Sequence, residues 1–366
     1  MKPSVWSCVV FPLILVSCAW AAPKGGLQKG RSSPGDDDGG IEMQDMSPKT
    51  LTMDRSCGSS DASRITKAFN QALDIAQSGI STVDWILIEY ADSSNADEKR
   101  RLSLPLKNMA GDGTALRMNV DAKRNKMRDL RDIFKRVRRK TSSPLVAQCG
   151  DDFLVEDGPD ETGPSCLDEN KFYYWDTIRK TWVSMDQEKC ANTPVFVYPG
   201  NKTYPDQLVF CPLGLQLLKE KAYVKELNEK SVSDLNRTFI DVLAVSPPAW
   251  IFQALLQTRQ VGSYDNLDLG NGLRGYGWEG VRTLALREPW KWMQNAGTIS
   301  YIALAWYMNK WNWGSGEATE LSEKNPSILP TDYAERQFGK GKGRAVEEID
   351  ITSVRVLDPD SDPIYS

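Results

Sequence analysis

Two glutamines spaced four residues apart are the feature of this chain that points most directly to a chemical or binding site. Gln253 and Gln257 lie in the mostly apolar stretch SPPAWIFQALLQTRQVGS at 246–263, where Ser246-Pro247 is a favourable helix start. Side chains at i and i+4 stand on the same face of a helix, so both amides are predicted to point to one place. Because a buried amide needs hydrogen-bond partners, the spacing indicates that the two side chains share a function.

The absence of histidine limits the chemistry that this site could perform. None of the 366 residues is histidine, which removes the commonest zinc ligand and the commonest general base near neutral pH. Ser-His-Asp and Cys-His mechanisms are therefore excluded. Carboxylate pairs, lysine chemistry or no chemistry remain, and the pairs available for glycosidase-type chemistry are Asp265 with Asp268 and Glu279 with Glu288. We predict no metal and no cofactor.

The N-terminus predicts export. Lys2 precedes an apolar run at 5–16, and Ala19-Trp20-Ala21 has the small-x-small pattern of a cleavage site, so residues 1–21 are interpreted as a signal peptide. No later segment approaches 18 continuous apolar residues, so no membrane span is expected. For an exported chain we predict no nucleic-acid partner, and the net charge of −4 is too small to indicate any particular partner.

The cysteines and the N-glycosylation sequons also agree with export of the chain. Removal of the signal peptide leaves five cysteines, and an odd number in an oxidising compartment predicts two disulfides and one remaining thiol. Proximity in sequence favours Cys149–Cys166 and Cys190–Cys211, with Cys57 left over. Two N-x-Thr sequons, at Asn201 and Asn236, are candidate glycosylation sites.

The elements expected around the glutamines are mainly helical. Residues 22–56 are predicted to be a disordered linker or propeptide, 60–79 a helix ending at Gly79, and 123–140 a helix with a basic solvated face that contains a dibasic pair, Arg138-Arg139. Short runs of β-forming residues between Cys149 and Cys211 predict a small disulfide-pinned sheet. For residues 238–245 the sequence does not decide between a strand and a helix. A deeply buried helix is expected at 295–313, and an irregular tail at 314–366.

The serial order of three segments resembles the fungal deuterolysin-type metalloendopeptidases, also called aspzincins. Gln253-Ala254-Leu255-Leu256-Gln257 resembles the family's HExxH, residues 270–277 (GNGLRGYG) resemble GTxDxxYG, and residues 295–303 (NAGTISYIA) resemble NADSYAxFA. The resemblance covers roughly residues 57–313. It implies an α+β, zincin-like metallopeptidase fold with a mainly helical core and two long buried helices.

The same resemblance implies that the zinc chemistry is lost. The family's two histidines, its aspartate and its catalytic glutamate correspond to Gln253, Gln257, Leu273 and Ala254. Leucine and alanine cannot coordinate zinc or accept a proton, and a neutral amide is a poor zinc ligand. Tyr276 is retained, and without a metal it is predicted to be a packed residue or a ligand contact. The glycines at 270–280 do not form a P-loop, because no Lys-Ser/Thr follows them.

We therefore interpret the chain as a secreted pseudo-metalloendopeptidase that acts by binding an extracellular protein, a peptide or a glycan, as a fungal effector or decoy would. The alternatives are a hydrolase that uses carboxylates in the former metallopeptidase active-site cleft, a divergent active metalloendopeptidase, and a structural wall or matrix protein. The candidate cleft residues are Trp250, Gln253, Gln257, Tyr276 and Trp278. Packing in the core is the competing interpretation for the tryptophans.

Overall fold

The fold combines two β-sheets with a larger set of helices, and is of mixed α+β type as predicted. The structure is a computed structural model. It describes residues 48–89, 94–111, 120–141 (side chains from 125), 144–159, 171–185, 188–190, 193–201, 203–221, 223, 226, 238–270 and 273–319. The predicted signal peptide, Cys166, Asn236, most of the 22–56 segment and the tail beyond Thr319 lie outside these residues.

Eight α-helices and one 3-10 helix occur in the described ranges. The helices are α1 (Ser59–Ile88), α2 (Ala96–Ala110), α3 (Val120–Arg138), α4 (Pro212–Glu220), α5 (Ile240–Ala244), α6 (Pro247–Gln257), α7 (Gly277–Arg287) and α8 (Ala296–Tyr307), with the 3-10 helix at Pro289–Gln294. The segment 238–245, which the sequence leaves open, thus contains the short helix α5. Helices α6 and α8 correspond to the two buried helices that the sequence predicts, but they are short, with 11 and 12 residues, and α8 ends at Tyr307 instead of continuing to residue 313.

The strands form two separate sheets. They are β1 (Leu51–Met53), β2 (Leu145–Cys149), β3 (Leu154–Val155), β4 (Phe172–Asp176), β5 (Thr181–Met185), β6 (Val195–Tyr198) and β7 (Asp206–Phe210). The first sheet has the order β1-β2-β7-β6, with parallel pairing except between β6 and β7. The second is an antiparallel β3-β4-β5 sheet. Strand β7 is buried along its whole length, as expected for the centre of a sheet covered on both faces.

Helix α1 continues nine residues beyond the predicted stop at Gly79. A Cβ atom at position 79 would lie 2.6 Å from Cδ2 of Phe134. The glycine therefore serves close packing of α1 against α3 instead of ending the helix. The apolar stripe predicted for α3 is confirmed, since Met127, Leu130, Phe134 and Val137 are all buried.

One predicted disulfide is confirmed and the other is wrong. Cys190 is bonded to Cys211, whereas Cys149 is bonded to Cys57 across 92 residues of sequence. The reason is the parallel pairing of β1 with β2, which aligns Met53 with Ala147 and so brings the following cysteines together. Proximity along the chain is a poor guide to partners once parallel strands join distant segments. Cys57 is not the leftover cysteine.

The ordered domain extends beyond both predicted limits. Residues 51–53, expected in a disordered linker, form an edge strand. The sequence also predicts an irregular tail from Gly314, whereas residues 314–319 are buried. The Ala318 amide donates to the Thr238 carbonyl (2.8 Å), and Asn312 and Thr319 exchange backbone hydrogen bonds. These contacts fix the segment because its buried backbone groups must be paired.

The dibasic pair at the end of α3 is held by backbone contacts. The Lys49 amide donates to the Arg138 carbonyl (2.7 Å), and Pro48 forms an isolated bridge with Arg139. A processing protease needs an extended, accessible backbone. In the folded domain this site is therefore not presented for cleavage.

The two sheets are joined by a buried ion pair as well as by the Cys190–Cys211 disulfide. The Asp176 carboxylate is fully buried and accepts hydrogen bonds from Tyr198 Oη (2.6 Å) and from the Ile178 and Arg179 amides (2.8 Å each). Arg179 Nε lies 3.4 Å from Asp176 Oδ2, and its guanidinium stacks 3.9 Å from the centre of the Tyr198 ring. Burial, together with Asp176, raises the pKa of Tyr198 well above its usual value. This cluster fixes the β4–β5 turn against β6.

A buried lysine joins the N-terminal edge of the first sheet to the end of α6. Lys49 Nζ donates to Gln260 Oε1 (3.0 Å), which also accepts from Thr141 Oγ1 (2.7 Å). The main-chain amide of Gln260 donates to Asp206 Oδ2 (3.4 Å). Burial lowers the pKa of Lys49 to about 8, and Asp206 offsets part of that effect.

The stability of the protein is expected to increase as the pH rises above neutral. The folded-state pKa of Lys49 is about 8 and the unfolded value is 10.5, so burial of the charged form costs free energy fully below pH 8 and progressively less up to pH 10.5. We expect the free energy of unfolding to rise by roughly 2 kcal/mol between pH 7 and 9.5. Urea titrations at several pH values should show this rise in the native chain and in Lys140→Met, an exposed control, and not in Lys49→Met. The same rise in Lys49→Met would contradict the assignment.

Candidate functional site

Helix α6 carries the two glutamines on one side. Ser246 occupies the N-cap position, but its hydroxyl donates to the Leu243 carbonyl (2.6 Å) instead of capping α6, and two prolines begin the first turn. The helix ends at Gln257 because Thr258 is extended and its carbonyl accepts three amides of the following turn. Gln253 is 8 % exposed and Gln257 is half-buried. Ala254, which the resemblance aligns with a catalytic glutamate, is buried.

The segment after α6 returns to the glutamine face. Gln257 Nε2 lies 3.4 Å from Asp265 Oδ1, and this contact places an exposed carboxylate next to the second glutamine. Asp265 in turn forms a parallel bridge with Asn295, and its carbonyl accepts the Ala296 amide at the start of α8 (2.9 Å). The loop thus connects the end of α6 to the start of α8.

Asn295 is the centre of this arrangement. Its buried side chain accepts from the Leu267 amide (2.9 Å) and donates to the Gly275 carbonyl (2.5 Å) and to Thr298 Oγ1 (2.9 Å). Gly275 also donates its amide to the Leu267 carbonyl (2.6 Å). One side chain therefore ties the loop before Tyr276 to the first turn of α8.

Two glycines allow the loop and the helix to approach so closely. A Cβ at Gly275 would lie 2.5 Å from Asn295 Oδ1, and one at Gly297 would lie 2.3 Å from the Gly275 carbonyl oxygen. Any larger residue would displace the backbone at this crossing. Gly275 and Gly297 thus serve the close packing of the loop against α8.

Tyr276 belongs to a partly buried cluster of hydroxyl and carboxylate groups. Its ring packs edge-to-face on Tyr301, with centroids 5.5 Å apart. Tyr301 Oη donates to Asp241 Oδ1 (2.5 Å), which also accepts the Trp278 amide (2.8 Å) and so caps α7 from a distant segment. Burial and the nearby Asp241 carboxylate raise the pKa of Tyr276, and the Tyr301 hydrogen bond offsets part of this rise.

The carboxylate pairs considered from the sequence have different surroundings. Burial and the Asp241 charge raise the pKa of Glu279, whereas Glu288 pairs with Lys291 (2.8 Å). Asp265 and Asp268 both accept backbone amides of their own loop, from Asn266 (2.7 Å) and Gly270 (2.8 Å) respectively. Apart from its contact with Gln257, Asp265 therefore acts with Asp268 in shaping the loop.

The two tryptophans proposed as cleft residues lie in the core. Trp250 is 3 % exposed and packs edge-on against Phe210, while Trp278 is fully buried against Gly316. Neither ring can stack on a ligand in this arrangement, and both have the packing role given above as the competing interpretation. Of the cleft candidates, Gln253, Gln257 and Tyr276 keep contact with solvent.

The residues that the resemblance aligns with metal ligands do not fit a zinc ion. Gln253 and Gln257 offer neutral amides, and Leu273 is a half-buried apolar residue of the loop. Within the ranges that the structure describes, no three cysteine, aspartate or glutamate side chains cluster as a metal site. The carboxylate that contacts Gln257 is that of Asp265, eight residues before Leu273 in the chain.

The glycosylation candidates have separate outcomes. Asn201 is exposed, and its Oδ1 accepts the Thr203 and Tyr204 amides (2.8 and 2.9 Å) in a tight turn between β6 and β7. Its Nδ2, the atom that a glycan would modify, makes no hydrogen bond to the described part of the chain. Asn236 lies outside the described residues, so its prediction stands as made.

Comparison of the chain with protein-family models, with curated proteins and with solved structures gave no match. Among the described helices, none is long and apolar enough to cross a membrane.

Proposed function

We propose that the protein is an exported binding protein with a metallopeptidase-like, zincin-type frame that has lost hydrolytic activity, and that its partner is an extracellular protein or peptide. One observation carries the proposal. Three segments that resemble the family's motifs only through their order in the sequence also meet in space, through the contacts of Asp265 and Asn295 described above. Their meeting at one place supports the resemblance.

The loss of hydrolysis is argued from side-chain chemistry. A catalytic zinc requires three ligands of the imidazole, thiolate or carboxylate type and a general base. The chain has no histidine, and the position of the base is the buried methyl group of Ala254. Tyr276 alone cannot replace this set, because its environment raises its pKa and keeps the hydroxyl protonated.

Binding is favoured because polar groups stay accessible at the same place. Gln257, Asp265 and Tyr276 are all partly or fully exposed on the surface formed by α6, the loop and the start of α7. The two disulfides are compatible with an extracellular environment.

Metal content and proteolysis of the purified secreted protein test this proposal. We expect less than about 0.1 zinc per chain after dialysis against micromolar zinc, and no chelator-sensitive cleavage of casein. Stoichiometric zinc together with casein cleavage that stops on addition of a chelator would disprove it. Cleavage that persists with chelator and disappears in Glu279→Gln would instead favour the carboxylate hydrolase.

A further inference from the structure

Gln253 is a mostly buried polar residue whose amide has no hydrogen-bond partner among the described residues. More than nine-tenths of the residue is buried, and its amide makes no hydrogen bond to the part of the chain that the structure describes. The amide atoms of Gln253 are reached by solvent, whereas Gln207 Oε1 is fully enclosed and has no hydrogen-bond partner in the described part of the chain. The small exposed part of Gln253 is therefore at its amide end.

In the free protein only solvent reaches this amide. A donor and an acceptor that face solvent through so small an opening lose part of their hydration without gaining a partner in the described part of the chain. Most buried polar groups in proteins are hydrogen-bonded, so an external partner that reaches the amide would explain its presence.

The direction of the amide is set by the helix. Gln257 lies one turn further along the same face, and its Nε2 contacts the Asp265 carboxylate at 3.4 Å. Gln257 Oε1 is not used in this contact and remains an acceptor one helical turn from Gln253. The face thus presents neutral hydrogen-bonding groups in a row along α6.

We propose that Gln253 binds one main-chain peptide group of a bound polypeptide, with Gln257 as the neighbouring contact. This inference rests on the proposed function and specifies its ligand as backbone. A primary amide has an N–H donor and a C=O acceptor side by side, which matches the acceptor and donor that an extended chain presents. Recognition of this kind does not depend on the side chains of the ligand.

Carbohydrate is the less suitable ligand for the same surface. Sugar sites combine amide hydrogen bonds with an open aromatic ring on which the sugar packs. Trp250 and Trp278 are buried, and the Tyr276 ring is engaged with Tyr301. The candidate residues therefore offer hydrogen bonds and no stacking surface, which favours a peptide.

Small amides test the proposal on the full chain without knowledge of the partner. With glutamine side chains labelled with ¹⁵N, N-methylacetamide, which both donates and accepts, should shift the Gln253 resonance saturably. The resonance is assigned by its loss in Gln253→Leu. N,N-dimethylacetamide, which only accepts, should bind roughly tenfold more weakly, the value of one hydrogen bond. The enclosed Gln207 resonance is the internal control and should not move.

Each contrary result has a distinct meaning. No shift of Gln253, or equal responses to the two amides, would overturn the main-chain assignment. A response to methyl β-glucoside stronger than that to N-methylacetamide would overturn it in favour of a glycan. Failure of the proposed function is seen separately, as zinc content and chelator-sensitive proteolysis of the native chain.

Discussion

Replacing Gln253 and Gln257 by histidine is expected to create a chain that binds about one zinc ion, with Asp265 as the third ligand. The reason is the existing separation of 3.4 Å between Gln257 Nε2 and Asp265 Oδ1. Two ligand atoms at about 2.1 Å from a tetrahedral zinc are about 3.4 Å apart, so the native contact already has the required spacing. Zinc content after dialysis, and cobalt spectra of the substituted protein, measure the result.

Variants of Asp265 and Leu273 test which of these two residues supplies the third zinc ligand. Adding Asp265→Ala to the double variant should abolish zinc binding, whereas adding Leu273→Asp should not increase it. The variant that combines the two histidine substitutions with Leu273→Asp and Ala254→Glu tests whether a general base restores casein cleavage. Zinc binding that requires Leu273→Asp would show that sequence order identifies the third position correctly. A folded variant set without any zinc would count against metallopeptidase geometry at α6.

Removal of the buried Asp176 carboxylate is expected to lower the free energy of unfolding by about 3–5 kcal/mol in Asp176→Ala. The substitution leaves the Arg179 guanidinium, whose side chain is only 7 % exposed, without its ionic partner, and it also removes three hydrogen bonds. Urea unfolding with the disulfides intact measures the change. Hydrogen exchange should show the loss first in β4 and β5.

A second variant separates the ion pair from the hydrogen bonds. Asp176→Ala combined with Arg179→Ala should cost less than the sum of the single variants, because the double variant no longer buries an unpaired charge. The exposed Asp157 of the β3 segment is the matched control, and Asp157→Ala should change stability by less than about 0.5 kcal/mol. Additive effects of Asp176 and Arg179 would mean that the two charges do not stabilise each other.

Local sequence patterns were sufficient for the elements that lie in or around the core. The stripe from Met127 to Val137 predicts α3, and the apolar run after Asn295 predicts α8, because helical periodicity reports burial on one face. The short runs of β-forming residues between Cys149 and Cys211 likewise predict strands. The Cys190–Cys211 pair was predicted from proximity in sequence, which succeeds when one hairpin-rich segment contains both cysteines.

Patterns failed where a residue's role depends on a distant segment. Gly79 resembles a helix stop until the Phe134 ring is placed against it. The order of motifs pointed to Leu273, and only the fold of the loop brings Asp265 to Gln257. The tryptophans could have lined a groove or filled the core, since composition does not say which side of a ring faces solvent.

The sequence by itself determined that the chain has no histidine-based chemistry and that two glutamines share one face of a buried helix. Both follow from residue identity and helical spacing, which need no tertiary information. Only the tertiary structure decided the Cys57–Cys149 disulfide and the meeting of the three motif segments at Asn295. The physical reason is that strand pairing and side-chain hydrogen bonds join residues far apart in the chain, and no local pattern records which distant segment will supply the partner.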